Sequence, residues 1–386
     1  MKTRAALVYE TNQQWDLGKQ FWKIEELEIA PLGPDDVLVH LPYSGVCHTD
    51  LHPLTGDLPP AMLPMIGGHE GAGVVEDVGS RVGHVQPGDH VVISILPACG
   101  HCRYCRRGRP TLCDMSAIVM GGRHPDGEFR YTNSQQQAAG QWSLVGSFAE
   151  YVVVNSQAAV KIPEHLPLDV ASMVGCAVTT GFGAAVDKAG VGVGDSVVVW
   201  GCGGVGLSAV QGAALAGAAE VIAVDTNDFK LEVARSFGAT ATFNPNVDRS
   251  PNPNRDEAAE KVMEYTNWQG VDVALLCVDY VTPELTGAAF ATLGKGGKLV
   301  IVGVTHPKFT SIAVSGLEVT FWEKEIVGCS YGGGNPTLDM PRNLRMYEKG
   351  QLKLDEMITK RYPLESVNEA FDDLLNGQIV KGVIEF

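Results

Sequence analysis

The sequence predicts an α/β protein in two parts, a mainly-β domain and a doubly wound parallel sheet. The first observation behind this is a change of texture near Thr179. Before it, strand-like runs such as DDVLVHL, GAGVVEDVG and PGDHVVISIL are separated by Gly-Asp and Pro-Gly turns. After it, short apolar strands alternate with helical stretches, which is how parallel sheets are built. The second is a glycine-rich turn, GCGGVG, set between one such strand and the helix that follows. The third is length: 386 residues are enough for two domains, each with its own core.

In order along the second part, Ser196–Trp200 (SVVVW) reads as a buried strand and Leu207–Ala216 as an Ala-rich helix. Val221–Asp225 is the next strand, DFKLEVARSFGA a helix, and VDVALLCV, GGKLVIVG and KEIVGCS are later strands. The last fifty or so residues return to mixed helix and strand. The expected division assigns 1–178 and 331–386 to the mainly-β domain, with a cysteine-rich lobe at about 95–115, and 179–330 to the parallel sheet. NPNVDRSPNPNRD (244–256) reads as a polar surface loop.

Hydrophobic residues make up 45% and charged residues 19%, the balance of a globular chain. A net charge of −16 excludes a broad footprint for nucleic acid or an anionic membrane. The N-terminus, MKTRAALVYE, lacks the apolar core of a secretory signal, and no apolar run is expected to reach the roughly 18 residues of a membrane span. The expectation is a cytoplasmic protein without nucleic-acid or membrane partners. Its nine cysteines stay reduced, so clustered ones are metal ligands before they are disulfides.

Three constellations carry chemistry. Cys99, Cys102, Cys105 and Cys113 bunch four thiolates within fifteen residues, which suits a tetrahedral ion. Zinc leads and an iron–sulfur cluster is the rival, although the bacterial iron–sulfur run has a shorter last gap and a following proline, where this chain has Asp114. Four ligands leave no open position, so the site is structural. Gly201, Gly203, Gly204, Val205 and Gly206 form the GxGxxG turn after a strand and before a helix, with Asp225 nineteen residues beyond Gly206. That context is the dinucleotide (Rossmann) fingerprint: glycines admit a pyrophosphate to the helix N-terminus and the acid bonds the ribose. Asp225 repels a 2′-phosphate, favouring NAD over NADP. The third constellation is GVCHTDLH (45–52) read with GGHEG (67–71) and VGC (174–176). Cys47, His69 and Cys176 each stand beside a glycine or turn, at the ends of strand-like runs. Two thiolates and one imidazole leave a tetrahedral zinc one open position, as catalysis requires.

GVCHTDLH, GGHEGAGVV, PACGHCRYCRRGRPTLC, GCAVTTGFGAAV, WGCGGVGLSAVQGA and AVDTNDFK resemble, in order and over essentially the whole chain, the zinc-dependent medium-chain alcohol dehydrogenases. The resemblance implies a GroES-like catalytic domain joined to the Rossmann domain, two zinc ions per chain, and NAD as cofactor. It implies that Cys47, His69 and Cys176 hold the catalytic zinc, the Cys₂His set found in alcohol dehydrogenases, and that the four clustered cysteines hold the structural one. Asp50 would orient His69, and Glu70 would exchange as a transient ligand. Thr49 would take the alcohol proton, leaving a zinc-bound alkoxide that yields its hydride to NAD, and His52 would pass the proton to solvent by way of the nicotinamide ribose. Lys230 would lie beside the adenosine ribose, with His48 and Lys381 on the pyrophosphate. Lys381 stands where arginine is commoner and supplies charge without a bidentate fork.

Within the family the motifs stand closest to the nitrosoaniline-dependent nicotinoproteins, which keep NAD(H) bound and use an external acceptor. Enzymes with dissociable NAD and the thiol-dependent formaldehyde class share many of the same motifs. The last has an acid where this chain has Leu58 and a tyrosine at His52, which argues against a thiol-adduct substrate. Leu58, Ile95 and Trp142 fall at pocket positions and imply an apolar primary alcohol or its aldehyde; the alternative is that they are core residues. The resemblance also implies a homodimer or homotetramer. Two other classes share part of these features: a non-catalytic nucleotide-binding member, against which stands the complete ligand and relay set, and a nucleic-acid-binding zinc protein, against which stands the charge.

Overall fold

The computed structural model describes residues 1–12, 14–58, 62–246, 257–305 and 307–386. The chain divides into two compact units, Met1–Cys176 with Asn335–Phe386, and Ala177–Gly334. Residues 247–256 of the expected polar loop lie outside the described residues.

The second unit is built on a parallel sheet of β1 (Ser196–Trp200), β2 (Glu220–Val224), β3 (Ala241–Phe243), β4 (Val271–Leu276), β5 (Leu293–Ile301) and β6 (Glu325–Gly328). Their order across the sheet is 3-2-1-4-5-6, with Val197 beside Val221 on one flank of β1 and beside Val273 on the other. β1 is buried along nearly its whole length, which is why it reads as a continuous β-branched run and does not alternate. The order reverses direction at β1, and the crevice beyond the carboxyl ends of the strands at such a point is where dinucleotides bind. There β1 gives way to Gly201 and to helix α1 (Gly204–Ala216), longer at its start than the expected Leu207–Ala216.

The first unit carries a closed barrel of short strands and a seven-stranded sheet. Its organising element is the long strand Asp36–Val46, which pairs with Glu70–Val78, Tyr151–Asn155 and Lys381–Glu385. Buried Val37, Val39, Leu41, Val91, Ile93 and Val152 form the core beneath it. A polar brace closes one end. Asp36 accepts from His124 Nδ1 at 3.1 Å and from Arg130 Nε at 2.5 Å. Burial alone would raise the Asp36 carboxyl, but these donors hold it well below its usual range.

One sequence-level exclusion needs correction. The helical stretch Leu168–Ala189, 22 residues, is apolar and long enough to cross a membrane. Its apolar residues are mostly buried inside the protein, so the composition reflects a core helix. The stretch is irregular, with π turns at Val174–Val178 and Ala184–Ala189. Within the second unit, Gly181 meets the start of α1: a Cβ at Gly181 would lie 1.9 Å from the Val205 carbonyl oxygen. Gly181→Ala is therefore expected to cost about 3 kcal/mol or more of stability, since neither backbone can yield without shifting a helix. Denaturant unfolding of the variant beside wild type checks this.

Candidate metal and cofactor sites

Three strand ends and one helix converge on a buried cluster. Cys47 follows the end of strand Asp36–Val46, and His69 precedes the start of strand Glu70–Val78, the partner strand in which Glu70 sits opposite Gly45. Lys381 opens the strand Lys381–Glu385, whose Gly382 pairs with Val46. Cys176 comes from the π turn, not from a strand end as the sequence pattern implied, and His69 stands at a strand start. The extra residue of a π turn alters the helical register locally, a device frequent at functional sites.

The ligating atoms of Cys47, His69, Glu70 and Cys176 lie within 4.8 Å of one another, and all four residues are buried. Two glycines make this packing possible. A Cβ on Gly45 would fall 2.0 Å from Glu70 Oε2, and one on Gly175 would fall 3.0 Å from the Ile93 carbonyl oxygen. Pattern reading noted glycines beside the cysteines but not that they clear space for a carboxylate and for a helix.

Asp50 is fully buried and its Oδ1 lies 2.6 Å from His69 Nδ1, while Oδ2 accepts from the Cys47 backbone N–H at 3.2 Å. The carboxylate accepts only, so Nδ1 carries a proton and Nε2 turns to the cluster. His69 Nε2 is buried with no hydrogen-bond partner among the described residues. A divalent cation satisfies that nitrogen, and the donor set of two thiols and an imidazole suits zinc. The charges agree. The hydrogen bond with the Cys176 thiol, then the neighbouring His69 ring and the Lys381 charge, hold Cys47 well below the ordinary thiol range, against burial. Cys176 is pushed well above it, first by its hydrogen bond with Cys47 and then by burial. Two adjacent buried thiols share one negative charge unless a cation stabilises both.

Lys381 stands differently from expectation. It is buried, and its Nζ donates to Glu70 Oε2 at 2.5 Å and to the Val46 carbonyl at 2.8 Å, a pairing with Glu70 that sequence reasoning did not assign. Burial pushes the Glu70 carboxyl up to about 7, with Lys381 opposing the rise. The His52 side chain is buried in the short helix His52–Thr55. Thr49 and His48 are half-buried in the adjoining 3₁₀ turn His48–Asp50. Of the pocket positions, Ile95 packs against the core of the β-domain, Trp142 is 1% exposed, and Leu58 is half-buried.

The second cluster lies on the lobe. Cys99, Cys102, Cys105 and Cys113 bring their sulfurs within 4.8 Å. Backbone N–H groups point at the sulfurs, from Cys99 to Cys113 Sγ at 3.3 Å and from Cys102 to Cys99 Sγ at 3.3 Å. Backbone donors, that of Cys105 first, bring Cys102 down to about 6, whereas burial pushes Cys105 up to about 12. Four thiolates need a cation here too.

The nucleotide turn gives each glycine a separate reason. Gly201 has φ +88°, a left-handed turn residue. A Cβ on Gly206 would meet the Gly201 carbonyl oxygen at 1.7 Å, so that position permits the helix to close on the turn. Gly203 faces open space, where a pyrophosphate can approach the first N–H groups of α1, at Gly204 and Val205. Asp225, at the end of β2, accepts from the Cys202 N–H at 2.7 Å and the Asn227 N–H at 2.9 Å, which orient its carboxylate. Lys230 is half-buried on the following helix, Asp228–Ser236. The residues fit a dinucleotide.

Residues 33–164 match the alcohol dehydrogenase GroES-like domain, and residues 204–349 match the zinc-binding dehydrogenase domain. Over 384 residues the chain is 46% identical to putative alcohol dehydrogenase D of Mycobacterium tuberculosis, covering 100% of both. It is 45% identical to the NDMA-dependent alcohol dehydrogenase of Amycolatopsis methanolica, over 100% of this chain and 99% of that one. The crystal structure of benzyl alcohol dehydrogenase from Acinetobacter calcoaceticus superposes with a TM-score of 0.89 at 29% identity, covering 100% of this chain and 99% of that one.

Purified protein is expected to carry two zinc ions per chain, one for each cluster. Cys47→Ala should retain one and melt near wild type; Cys105→Ala should retain one and melt several degrees lower, because a structural metal's binding energy is folding energy. Elemental analysis with thermal melts reads both.

Proposed function

Because this chain belongs to the zinc-dependent medium-chain alcohol dehydrogenases and is an NAD-linked oxidoreductase of that family, we propose that it interconverts an apolar primary alcohol and its aldehyde at the Cys47–His69–Cys176 cluster. The observation that carries this is the buried cluster itself, with His69 Nε2 turned inward and without a hydrogen-bond partner among the described residues. Zinc there supplies Lewis-acid activation of the alcohol hydroxyl, and NAD accepts the hydride.

The chain's own residues do the rest. Cys47, His69 and Cys176 hold the ion, and Asp50 locks the His69 ring so that one nitrogen always faces it. The Glu70–Lys381 pair keeps a compensated carboxylate at the cluster edge, available as an exchanging ligand. Thr49 accepts the hydroxyl proton as it gives up its own, and His52 holds the proton. Gly203, Gly204 and Val205 would receive the pyrophosphate, with His48 as the basic residue beside it and Lys381 committed to Glu70 instead, while Asp225 and Lys230 would address the adenosine ribose. Half-buried Leu58 and Ile95 would give the substrate an apolar wall, whereas Trp142, 1% exposed, is a core residue. Asp57, an acid neighbouring Leu58, is turned toward His52, which weighs against the formaldehyde class.

A second reading, that NAD(H) stays bound between turnovers and an external acceptor regenerates it, is favoured by the identity to the NDMA-dependent enzyme. Absorbance and mass spectra of the protein as purified test it: near-stoichiometric NADH supports retention, and empty protein that reduces added NAD with an apolar alcohol supports ordinary exchange. Protein that oxidises no alcohol under either regime would overturn the substrate assignment.

We place the enzyme in the cytoplasm as a homodimer or homotetramer. Support for assembly comes from exposed Ile312, Leu317, Phe321 and Trp322 on and beside the helix Gly316–Phe321. Phe321→Glu is expected to lower the assembly state in light scattering while leaving each chain folded.

A further inference from the structure

His52 is 1% exposed and Asp57 is 3% exposed. An interior carboxylate is costly to bury unless its neighbours compensate it. Local chain geometry has brought this one to the imidazole. The helix His52–Thr55 stops at Gly56, whose φ of +85° reverses the chain. Both the Gly56 N–H, at 3.0 Å, and the Leu58 N–H, at 3.3 Å, then donate to the His52 carbonyl. That tight turn folds Asp57 back so that its Oδ2 lies 3.4 Å from His52 Nδ1. Thr55 Oγ1 donates to the same oxygen at 2.5 Å and fixes where it sits.

We infer that Asp57 is the positioning residue of the proton relay: it accepts from His52 Nδ1–H and stabilises the imidazolium while the ring holds the alcohol proton. This rests on the alcohol-oxidising reading above. A carboxylate only accepts, so it selects the tautomer with the proton on Nδ1 and the lone pair on Nε2. Nε2 is then the nitrogen that receives a proton. The bond is long at 3.4 Å, and contacts of this kind tighten when substrate and cofactor are in place.

The balance is simple. The alcohol O–H bond breaks and its proton passes to the Thr49 hydroxyl, which gives its own on toward Nε2 by way of the nicotinamide ribose. The carbon's hydride, with both electrons of its C–H bond, passes to the oxidised nicotinamide. The imidazolium–Asp57 pair keeps the proton until water takes it after the aldehyde leaves. Burial makes a charged ring expensive without a counter-ion, so the carboxylate is what lets an interior histidine do this work.

A mutant cycle tests the inference. Asp57→Asn should lower kcat about tenfold to hundredfold, the usual range for a group that orients another, with KM changed less than about threefold. In a His52→Gln background the same substitution should change nothing further, because Asp57 acts only through the ring. Asp57→Glu should recover part of the rate. Nitrogen NMR of histidine-labelled protein should show His52 as the Nδ1–H tautomer in wild type and as a mixture in Asp57→Ala, independently of turnover. Multiplicative losses in the double variant, or an unchanged tautomer, would overturn the inference and make Asp57 structural. If Asp57→Asn does not fold, Thr55→Val, which frees the carboxylate, takes its place in the cycle with the same expectations. A His52→Gln variant with wild-type kcat would instead overturn the relay reading itself.

Discussion

Two thiols, an imidazole and a carboxylate share one dry space in the first unit, and they cannot all take their reactive charge states without a cation. Much of the surrounding architecture follows from that constraint. Asp50 fixes which nitrogen of His69 faces inward, and Lys381 lies against Glu70, so a buried acid keeps a compensating charge. Gly45 exists as glycine because the Glu70 carboxylate occupies the space its side chain would fill. The strand Asp36–Val46 must run long because its end delivers Cys47 to the same point that its partners deliver Glu70 and Lys381.

The second unit solves a different problem, the approach of a ligand to bare backbone. Gly201 bends the chain, Gly203 leaves a face open, and Gly206 lets the helix close on the turn. One residue type serves three distinct geometric ends within six positions. Asp225 is reached by two backbone donors, so its direction is set before any ribose arrives.

Much of this was legible in the sequence, for identifiable reasons. Five of the six parallel strands were legible, the central ones because burial on both faces demands unbroken β-branched runs such as SVVVW; the sixth, Ala241–Phe243, is three half-buried residues at the sheet edge and carries no such run. The four lobe cysteines are adjacent in sequence as well as in space, so spacing alone groups them. Cys47, His69 and Cys176 are far apart along the chain, and it took the whole motif set to join them. What escaped was long-range or conformational. No local pattern marks the π turn at Cys176, since its residues read as ordinary apolar helix. The pairing of Lys381 with Glu70 joins residues 311 positions apart. No sequence pattern marks Asp57 as a partner of His52, because its turn toward the ring depends on the left-handed Gly56. The apolar stretch Leu168–Ala189 was underestimated because its glycines and threonines interrupt the run without making it polar.

The π turn at Val174–Val178 bears on how the chain tolerates changes of length. Such a turn holds one residue more than an α turn would. Removing a single residue there would restore regular winding with the flanking turns still facing as they do, but the residues carried on the π turn itself, Cys176 among them, would each shift by a helical position, about 100°. Cys176 would swing off the cluster although every side chain needed for chemistry was still encoded. Point changes along this helix are met by local repacking; a one-residue gap is not. The helix therefore acts as a ruler, and the site depends on its count of residues as much as on their identity.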